Sequence, residues 1–184
     1  AGATTFTDNS GASTNFTCSG GDCPTAGGIG VFNKSVEFTT TYGGGSYDRI
    51  SVNSFNPAGY RALTIEGWLN LKSYLTTNQD NVSHIIAKET GVEGDCTTST
   101  VFQLTIGNNH TNTAASSKKK LGFAISTSRR TGVSSASDVP LGQWVHVAGV
   151  WDGTTMQAYI NGVADGSSAS LTGTALPIIL YPSA

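Results

Sequence analysis

The stretch Trp144-Val-His-Val-Ala-Gly-Val-Trp151-Asp-Gly-Thr-Thr-Met-Gln-Ala-Tyr-Ile160-Asn-Gly162 decides the fold class of this chain. It contains two apolar runs, and each is followed directly by a dipeptide that ends in glycine, Asp152-Gly153 or Asn161-Gly162. Such dipeptides supply the positive φ angles that tight hairpin turns require. In the second run apolar and polar residues alternate, as in a strand with one buried face. The stretch therefore predicts an antiparallel meander.

Further strand signals lie on both sides of this meander. They are short apolar or alternating runs at residues 36–38, 50–52, 63–71, 84–88, 101–106, 121–125 and 175–181. Residues 1–34 show little periodicity and are predicted to be loop-rich, and no segment reads as a helix or as a domain linker. The series predicts a single all-β domain over residues 1–184, a two-sheet antiparallel sandwich.

The longest predicted strand, residues 63–71, shifts its apolar pattern by one residue near Gly67, which predicts a β-bulge. Trp68 lies in this strand, and Trp144 and Trp151 lie in the meander. Because all three are large residues within strands, we expect all three indoles to belong to the core.

The composition excludes several classes of protein. Only 12% of the residues are charged, about half of the roughly 25% of an average soluble chain, which speaks against helical bundles and coiled coils. With a net charge of −2, the chain has no excess of basic residues from which to form a phosphate-binding face. No nucleic-acid partner is therefore expected. No apolar run approaches a membrane span of about 18 residues, so membrane insertion is not expected either.

Two of the three cysteines lie close together. Cys18 and Cys23 enclose Ser-Gly-Gly-Asp, a loop flexible enough to bring the two sulfurs together. A disulfide that closes a local turn is the favoured interpretation. Free thiols are an alternative, and a metal site is a weaker one because it would need two further ligands. Cys96 is left over, either as a free thiol or with a partner outside this chain.

Several stretches resemble the laminin-G-like, concanavalin A-like lectin/glucanase superfamily, in its bacterial laminin G 3 or pentraxin-like form. The resemblance covers about residues 5–181 and implies a jelly-roll sandwich of two curved sheets. The stretches that carry it are Ser35–Phe38, Tyr47–Val52, Leu63–Leu69, Ile85–Lys88, Gly142–Ala148, Trp151–Gly153 and Tyr159–Gly162, together with the loop Thr17–Gly27.

Two strands of the family pattern are not evident. Such domains usually open with a strand before the region that matches residues 4–11, and close with one after the region that matches residues 177–181. We therefore expect one or both terminal strands to be missing, and the chain to be a piece of a larger protein. An open sheet edge would then serve for pairing with another chain.

The carboxylates do not form a catalytic pattern. Glucanases of this superfamily carry paired carboxylates spaced two residues apart on one strand, whereas Glu37, Glu66, Glu89 and Glu93 are scattered. No Gly-x-Ser-x-Gly turn provides a hydrolase nucleophile. His146 lies within a strand and is expected to be structural. The sequence therefore predicts a protein that is not an enzyme.

Calcium is the cofactor that the resemblance suggests. Laminin-G-like and pentraxin domains often hold Ca²⁺ on rim loops, and the resemblance places Glu93 and Asp95 in a loop similar to the pentraxin calcium loop. It places Asp8 in a second loop that holds an ion in related modules. The competing interpretation of each is an ordinary Asx turn.

We therefore predict a non-catalytic, lectin-like binding or adhesion module at the cell surface, in the extracellular space or on a virion. Its ligand would be a glycan or a surface protein held by rim loops, for which Tyr74, Asn108 and His110 are candidates. The alternative is a structural subunit or decoration of an extracellular filament, sheath or virion, assembled with copies of itself or other parts of a larger chain through strand edges.

Overall fold

A computed structural model describes residues 4–11, 14–39, 48–52, 55, 57, 59–74, 82–89, 100–107, 118–126 and 130–170. The chain divides into two compact units, residues 1–56 and residues 57–184. All strand ladders in both units are antiparallel, and the predicted all-β class is confirmed. Within the described ranges, no helix has the length and hydropathy needed to cross a membrane.

The N-terminal unit consists of short hairpins around a disulfide loop. Its strands are β1 (Thr5–Phe6), β2 (Phe16–Thr17), β3 (Thr25–Ile29) and β4 (Lys34–Glu37). Strand β1 pairs with β2, and β3 pairs with β4. Three short strands thus lie inside the stretch that was predicted to be loop-rich. The strand predicted at residues 50–52 is reduced to one bridge, between Ser51 and Thr17.

The predicted disulfide between Cys18 and Cys23 is confirmed. The two Cα atoms are 5.2 Å apart, within the usual range for a disulfide. The residues between them form a 3₁₀ turn, Gly20–Asp22, in which Gly20 has a φ of 65°. Glycine adopts this angle without steric cost, so the short loop closes without strain at that position.

The C-terminal unit is built from longer strands. These are β5 (Leu63–Asn70), β6 (Val82–Glu89), β7 (Thr100–Gly107), β8 (Lys120–Ser126), β9 (Arg130–Asp138), β10 (Trp144–Trp151), β11 (Thr155–Ile160), β12 (Val163–Ala164) and β13 (Ala169–Ser170). One sheet is five-stranded, with the order β12-β11-β10-β5 and with β13 beside β11, and the other is four-stranded, with the order β6-β7-β8-β9.

The core lies between these two sheets. The Phe123 ring of β8 packs directly on Gly149 of β10, where any Cβ atom would overlap it. A glycine inside a strand commonly marks such a close approach. This contact joins the two sheets face to face, as the predicted sandwich requires. The largest fully buried side chains are Trp151, Phe123, Leu104, Leu121, Ile125 and Met156.

The turns of the meander form as the sequence predicts. Asn161 and Gly162 both have positive φ angles, 51° and 77°, and they connect Ile160 of β11 directly to its partner Val163 of β12. Two consecutive positive φ angles are the signature of a type I′ turn. Gly153, in the preceding turn, has a φ of 99°.

The tryptophans depart from the prediction in two of three cases. Strands β5 and β10 pair without interruption over eight residues each, so the bulge predicted at Gly67 is wrong. Strict alternation then directs Trp68 away from the other sheet, where it is 44% exposed, and its predicted burial is also wrong. Gly67 takes an inward position without a side chain, which made the apolar pattern look shifted. Trp151 is buried as predicted, whereas Trp144 is half-buried and lies outside the hydrophobic core, so its predicted place in the core is also wrong.

Candidate functional site

One face of the five-stranded sheet carries aromatic and polar side chains together. Three of its residues, Glu66, Trp68 and Asn70, occupy alternate positions of β5, with the buried Ile65 and the core-packed Leu69 on the opposite face. Across the ladder Trp68 is paired with His146, and Asn70 with Trp144. Cross-strand partners share a face of the sheet. We name these five residues, Glu66, Trp68, Asn70, Trp144 and His146, the Trp68 face.

His146 links the polar and aromatic parts of the Trp68 face. Its ring meets the ring of Trp68 edge-on, with the centroids 5.4 Å apart and the planes at 65°. Its Nε2 atom lies 3.4 Å from Oε2 of Glu66. The Glu66 side chain is 62% exposed and that of His146 is 24% exposed, so solvent reaches the carboxylate more than the imidazole. The imidazole thereby holds the indole and the carboxylate side by side.

The backbone of His146 is fixed by the type I′ turn. The His146 N–H donates to Oδ1 of Asn161 at 3.0 Å, and the Asn161 N–H donates to the His146 carbonyl at 2.8 Å. Asn161 is one of the two turn residues with positive φ. The dipeptide that reverses the chain therefore also sets the position of His146.

Asn70 adds a hydrogen-bonding group at the end of the Trp68 face. Its Oδ1 atom is shielded from solvent and has no hydrogen-bond partner within the described part of the chain. Buried polar atoms usually have a partner, and this acceptor beside Trp144 is an exception among the described residues.

The Trp68 face combines groups that suit a neutral ring with hydroxyls. An indole offers a flat apolar surface, and the carboxylate, imidazole and amide accept or donate hydrogen bonds around it. Among the described residues of this face, Glu66 is the single carboxylate. Glycoside hydrolysis commonly employs two carboxyl groups about 5–9.5 Å apart. The described residues of this face do not include such a pair.

The exposure of Trp68 has a signal in the sequence, which the bulge interpretation obscured. Thr64, Glu66 and Trp68 are spaced by two, which places them on one side of an unbroken strand. Two of these three are polar, which marks that side as the solvent side. If the alternation of inward and outward side chains is continued through Gly67 without a bulge, Trp68 lies on the solvent-exposed side of β5.

Asp8, predicted as a calcium ligand, lies in the loop between β1 and β2. Its carboxylate accepts the backbone N–H groups of Ser10, at 2.7 Å, and Thr14, at 2.9 Å. Hydrogen bonds from the side chain and backbone of Ser10, and from the backbone of Thr14, lower the pKa of Asp8. These contacts are those of the competing Asx-turn interpretation. The described residues form no cluster of three or more metal-binding side chains.

Several residues singled out by the sequence lie outside the described ranges. The calcium prediction therefore stays a prediction, which a change of melting temperature on addition of Ca²⁺ or EDTA would test. The same holds for two ligand-loop candidates and for the third cysteine. The residues concerned are Glu93, Asp95, Cys96, Asn108 and His110.

Tyr74, the remaining ligand-loop candidate, makes contacts within the protein. Its hydroxyl donates to the Val139 carbonyl at 2.5 Å, and the Lys119 Nζ atom lies 5.4 Å from the ring centroid. Burial raises the pKa of Tyr74, and the negative charge of Asp138 raises it further, against a smaller opposing effect of Lys120. Both the ring and the hydroxyl are therefore engaged, and a ligand role for Tyr74 stays a prediction.

A polar cavity in the N-terminal unit is the second candidate site. Its volume is about 290 Å³, and its lining includes Thr17, Cys18, Ser19, Asp22, Arg49 and Ser51. Arg49 and Asp22 approach to 3.8 Å, with side chains 70% and 36% exposed. An exposed pair of this kind contributes only about 0–1 kcal/mol. No aromatic side chain is among the described residues of this lining, so we favour the Trp68 face.

Comparison with known proteins agrees with this architecture. Residues 43–178 match the laminin G 3 family model, described as the concanavalin A-like lectin/glucanases superfamily. Among solved structures, a presumed carbohydrate-binding protein from Bacteroides ovatus matches with 19% identity and a TM-score of 0.41. The match covers 63% of this chain and 28% of that one. A search of curated proteins finds no match. Because the family match spans most of its length, this chain belongs to the concanavalin A-like lectin/glucanase superfamily.

Proposed function

We propose that this chain is a non-catalytic glycan-binding module and that the Trp68 face is its ligand site. The observation that carries the proposal is the 44% exposure of Trp68 in the middle of a paired strand. Single exposed apolar residues are ordinary on protein surfaces. This one lies beside a carboxylate and an imidazole, and an apolar surface with a few polar groups around it is typical of a binding site.

The proposed mode of binding follows from the contacts. The apolar face of a pyranose ring would stack on the Trp68 indole, whose orientation is supported by the edge-on His146 ring. Ring hydroxyls would donate to the Glu66 carboxylate, and a charged acceptor makes such hydrogen bonds stronger. A shallow face of this kind buries little of its ligand, so we expect modest affinity.

We propose an extracellular or cell-surface location. The disulfide between Cys18 and Cys23 supports it, because such bonds form and persist in oxidising compartments. The high content of Gly, Ser and Thr with few charged residues fits the same environment. An adhesion role at that location would follow from glycan binding.

A structural role is the second candidate function, and the sheet edges favour it. Within the described residues, β5 pairs only with β10, and β6 pairs only with β7. A strand with one free side can accept a strand from another chain. Such an assembly would bury well over about 1,000 Å² between chains. Light scattering of the purified chain over a range of concentrations tests for it.

Glycan binding can be tested with one matched pair of variants. The wild-type chain is screened on a glycan array, and the best ligand is titrated by calorimetry. We expect Trp68→Ala to weaken binding about tenfold or more, equivalent to about 1.4 kcal/mol of lost contact. The control is Phe32→Ala, which removes another exposed aromatic ring, 77% exposed, from the N-terminal unit. Equal affinity of both variants, or no glycan bound by the wild type, would contradict the proposal.

A further inference from the structure

We propose that the Trp68 face selects neutral saccharides over acidic ones and that Glu66 determines this specificity. The inference rests on the proposed function, since it names the class of glycan bound at that site. The distribution of charge on the five-stranded sheet and the position of Glu66 beside the indole support it.

The five-stranded sheet is unusually poor in charge. None of its described strands contains a lysine or an arginine, and Glu66 is their single acidic residue. The four-stranded sheet differs, because its strands contain three basic and two acidic residues: Lys88, Glu89, Lys120, Arg130 and Asp138. With histidine counted as neutral, the described strands of this sheet therefore carry one negative charge, and Lys72, two residues after the end of β5, is the first basic residue that follows this strand.

This charge lies where a bound sugar would be. Glu66 and Trp68 are two residues apart on the same face of β5, a separation of about 7 Å along the strand. The contact between Glu66 Oε2 and His146 Nε2, at 3.4 Å, keeps the carboxylate near the indole that His146 also touches. A ring stacked on Trp68 would therefore have its substituents within several ångströms of the Glu66 carboxylate.

Neutral and acidic sugars would meet this carboxylate differently. A neutral sugar donates its hydroxyls to Glu66, which gives charge-assisted hydrogen bonds. A uronic acid of the same shape brings a second carboxylate, and two like charges roughly 7 Å apart repel each other through a partly aqueous medium. Sites for acidic groups commonly carry arginine or lysine, and the described strands of this sheet carry neither. We expect the acidic sugar to bind about fivefold more weakly.

The test compares two saccharides of the same skeleton. A neutral oligosaccharide that binds on the array is titrated beside its C6-oxidised uronate counterpart, in low salt at neutral pH. In the wild type the neutral ligand should bind about fivefold more tightly. Glu66→Gln should bring the ratio of the two affinities close to one, and higher ionic strength should reduce it, because salt screens charges at the surface. The control Glu37→Gln makes the same chemical change on β4 and should leave the ratio unchanged.

The outcomes separate this inference from the proposed function. A wild type that binds both saccharides equally, or a ratio that Glu66→Gln leaves unchanged, overturns the specificity role. If Trp68→Ala still weakens binding about tenfold or more in that case, the proposed glycan site stands without the specificity role of Glu66. If neither saccharide binds to the wild type, both proposals fall together.

Discussion

The two sheets of the C-terminal unit use their outer faces differently. In β10 of the five-stranded sheet, buried residues alternate with half-buried ones over most of the strand. In the four-stranded sheet, every residue of 101–107 and 121–125 is buried, so β7 and β8 are covered on both faces. In a sheet with one solvent-exposed face, the side chains of that face are available to contact a ligand. A sheet that is buried on both faces contributes mainly to the stability of the fold. The outer face of the five-stranded sheet is therefore the one that suits the proposed ligand site, whereas the four-stranded sheet contributes mainly to stability.

The largest expected effect compares one aromatic residue from each sheet. Phe123 in the four-stranded sheet is fully buried, and Phe123→Ala should lower the free energy of unfolding by about 3–5 kcal/mol through the cavity it leaves. Trp68→Ala on the five-stranded sheet should lower it by less than about 1 kcal/mol, because the indole is already partly in solvent. Urea unfolding measures both. Similar losses for the two variants would remove the distinction between the sheets.

The next effect tests how closely the two sheets approach. Gly149→Ala places a methyl group against the Phe123 ring, and such overpacking should cost about 1–3 kcal/mol of the free energy of unfolding. Adding Phe123→Leu should recover part of the loss. Gly67→Ala is the matched control on β5, where a Cβ atom would meet no heavy atom within 4 Å. If Gly149→Ala were as harmless as Gly67→Ala, the close approach would be wrong.

The meander shows what the sequence can predict of this fold. Its apolar runs and the Asn161-Gly162 turn specify local structure, and each signal lies within a few residues of the element it forms. Strand β9 was not predicted, because Arg130–Asp138 contains little apolar character besides Val133. It is held instead by its long ladder with β8 and by a hydrogen bond from the Leu121 N–H to the Ser135 hydroxyl. Such partners are distant in sequence and leave no local pattern.

The Trp68 face was not predicted for a similar reason. Trp68 and His146 are far apart in the chain, and only the register between β5 and β10 brings them together. Periodicity specifies which side of a strand a residue faces, but it does not specify the register of a distant pair. Once that register is known, the contact of Glu66 with His146 follows from it.

The third prediction concerns Gln103, a buried polar residue of the four-stranded sheet. It is fully buried on the face of β7 opposite to Leu104, and neither side-chain amide atom has a hydrogen-bond partner in the described part of the chain. Leucine has a similar size and no polar atoms to leave unsatisfied. We expect Gln103→Leu to unfold with a free energy within about 1 kcal/mol of wild type, or higher. A loss above about 2 kcal/mol would mean that the amide has a partner that stabilises the fold.

The smallest effect concerns a contact that joins the two sheets at one end. Asp165, which follows β12, accepts the N–H groups of Ala136, at 2.5 Å, and Ser137, at 2.8 Å, in β9. Partial burial raises the pKa of Asp165, but hydrogen bonds from Ser137 and Ala136 and the charge of Lys120 outweigh it, and the pKa lies below its usual value.

A lowered pKa in the folded state gives this contact a defined pH dependence. The stabilisation from the ionised Asp165 is fully present above the unfolded pKa, near the ordinary value of 3.8, and it is lost as the pH falls through the lower folded pKa. Asp165→Asn should therefore be less stable than wild type at pH 7, and the difference should shrink below pH ~4 as the wild-type carboxylate becomes protonated. Urea unfolding across this range measures the difference. A difference that stayed constant with pH would mean that the geometry of the acceptor, rather than its charge, holds β9 to the loop after β12.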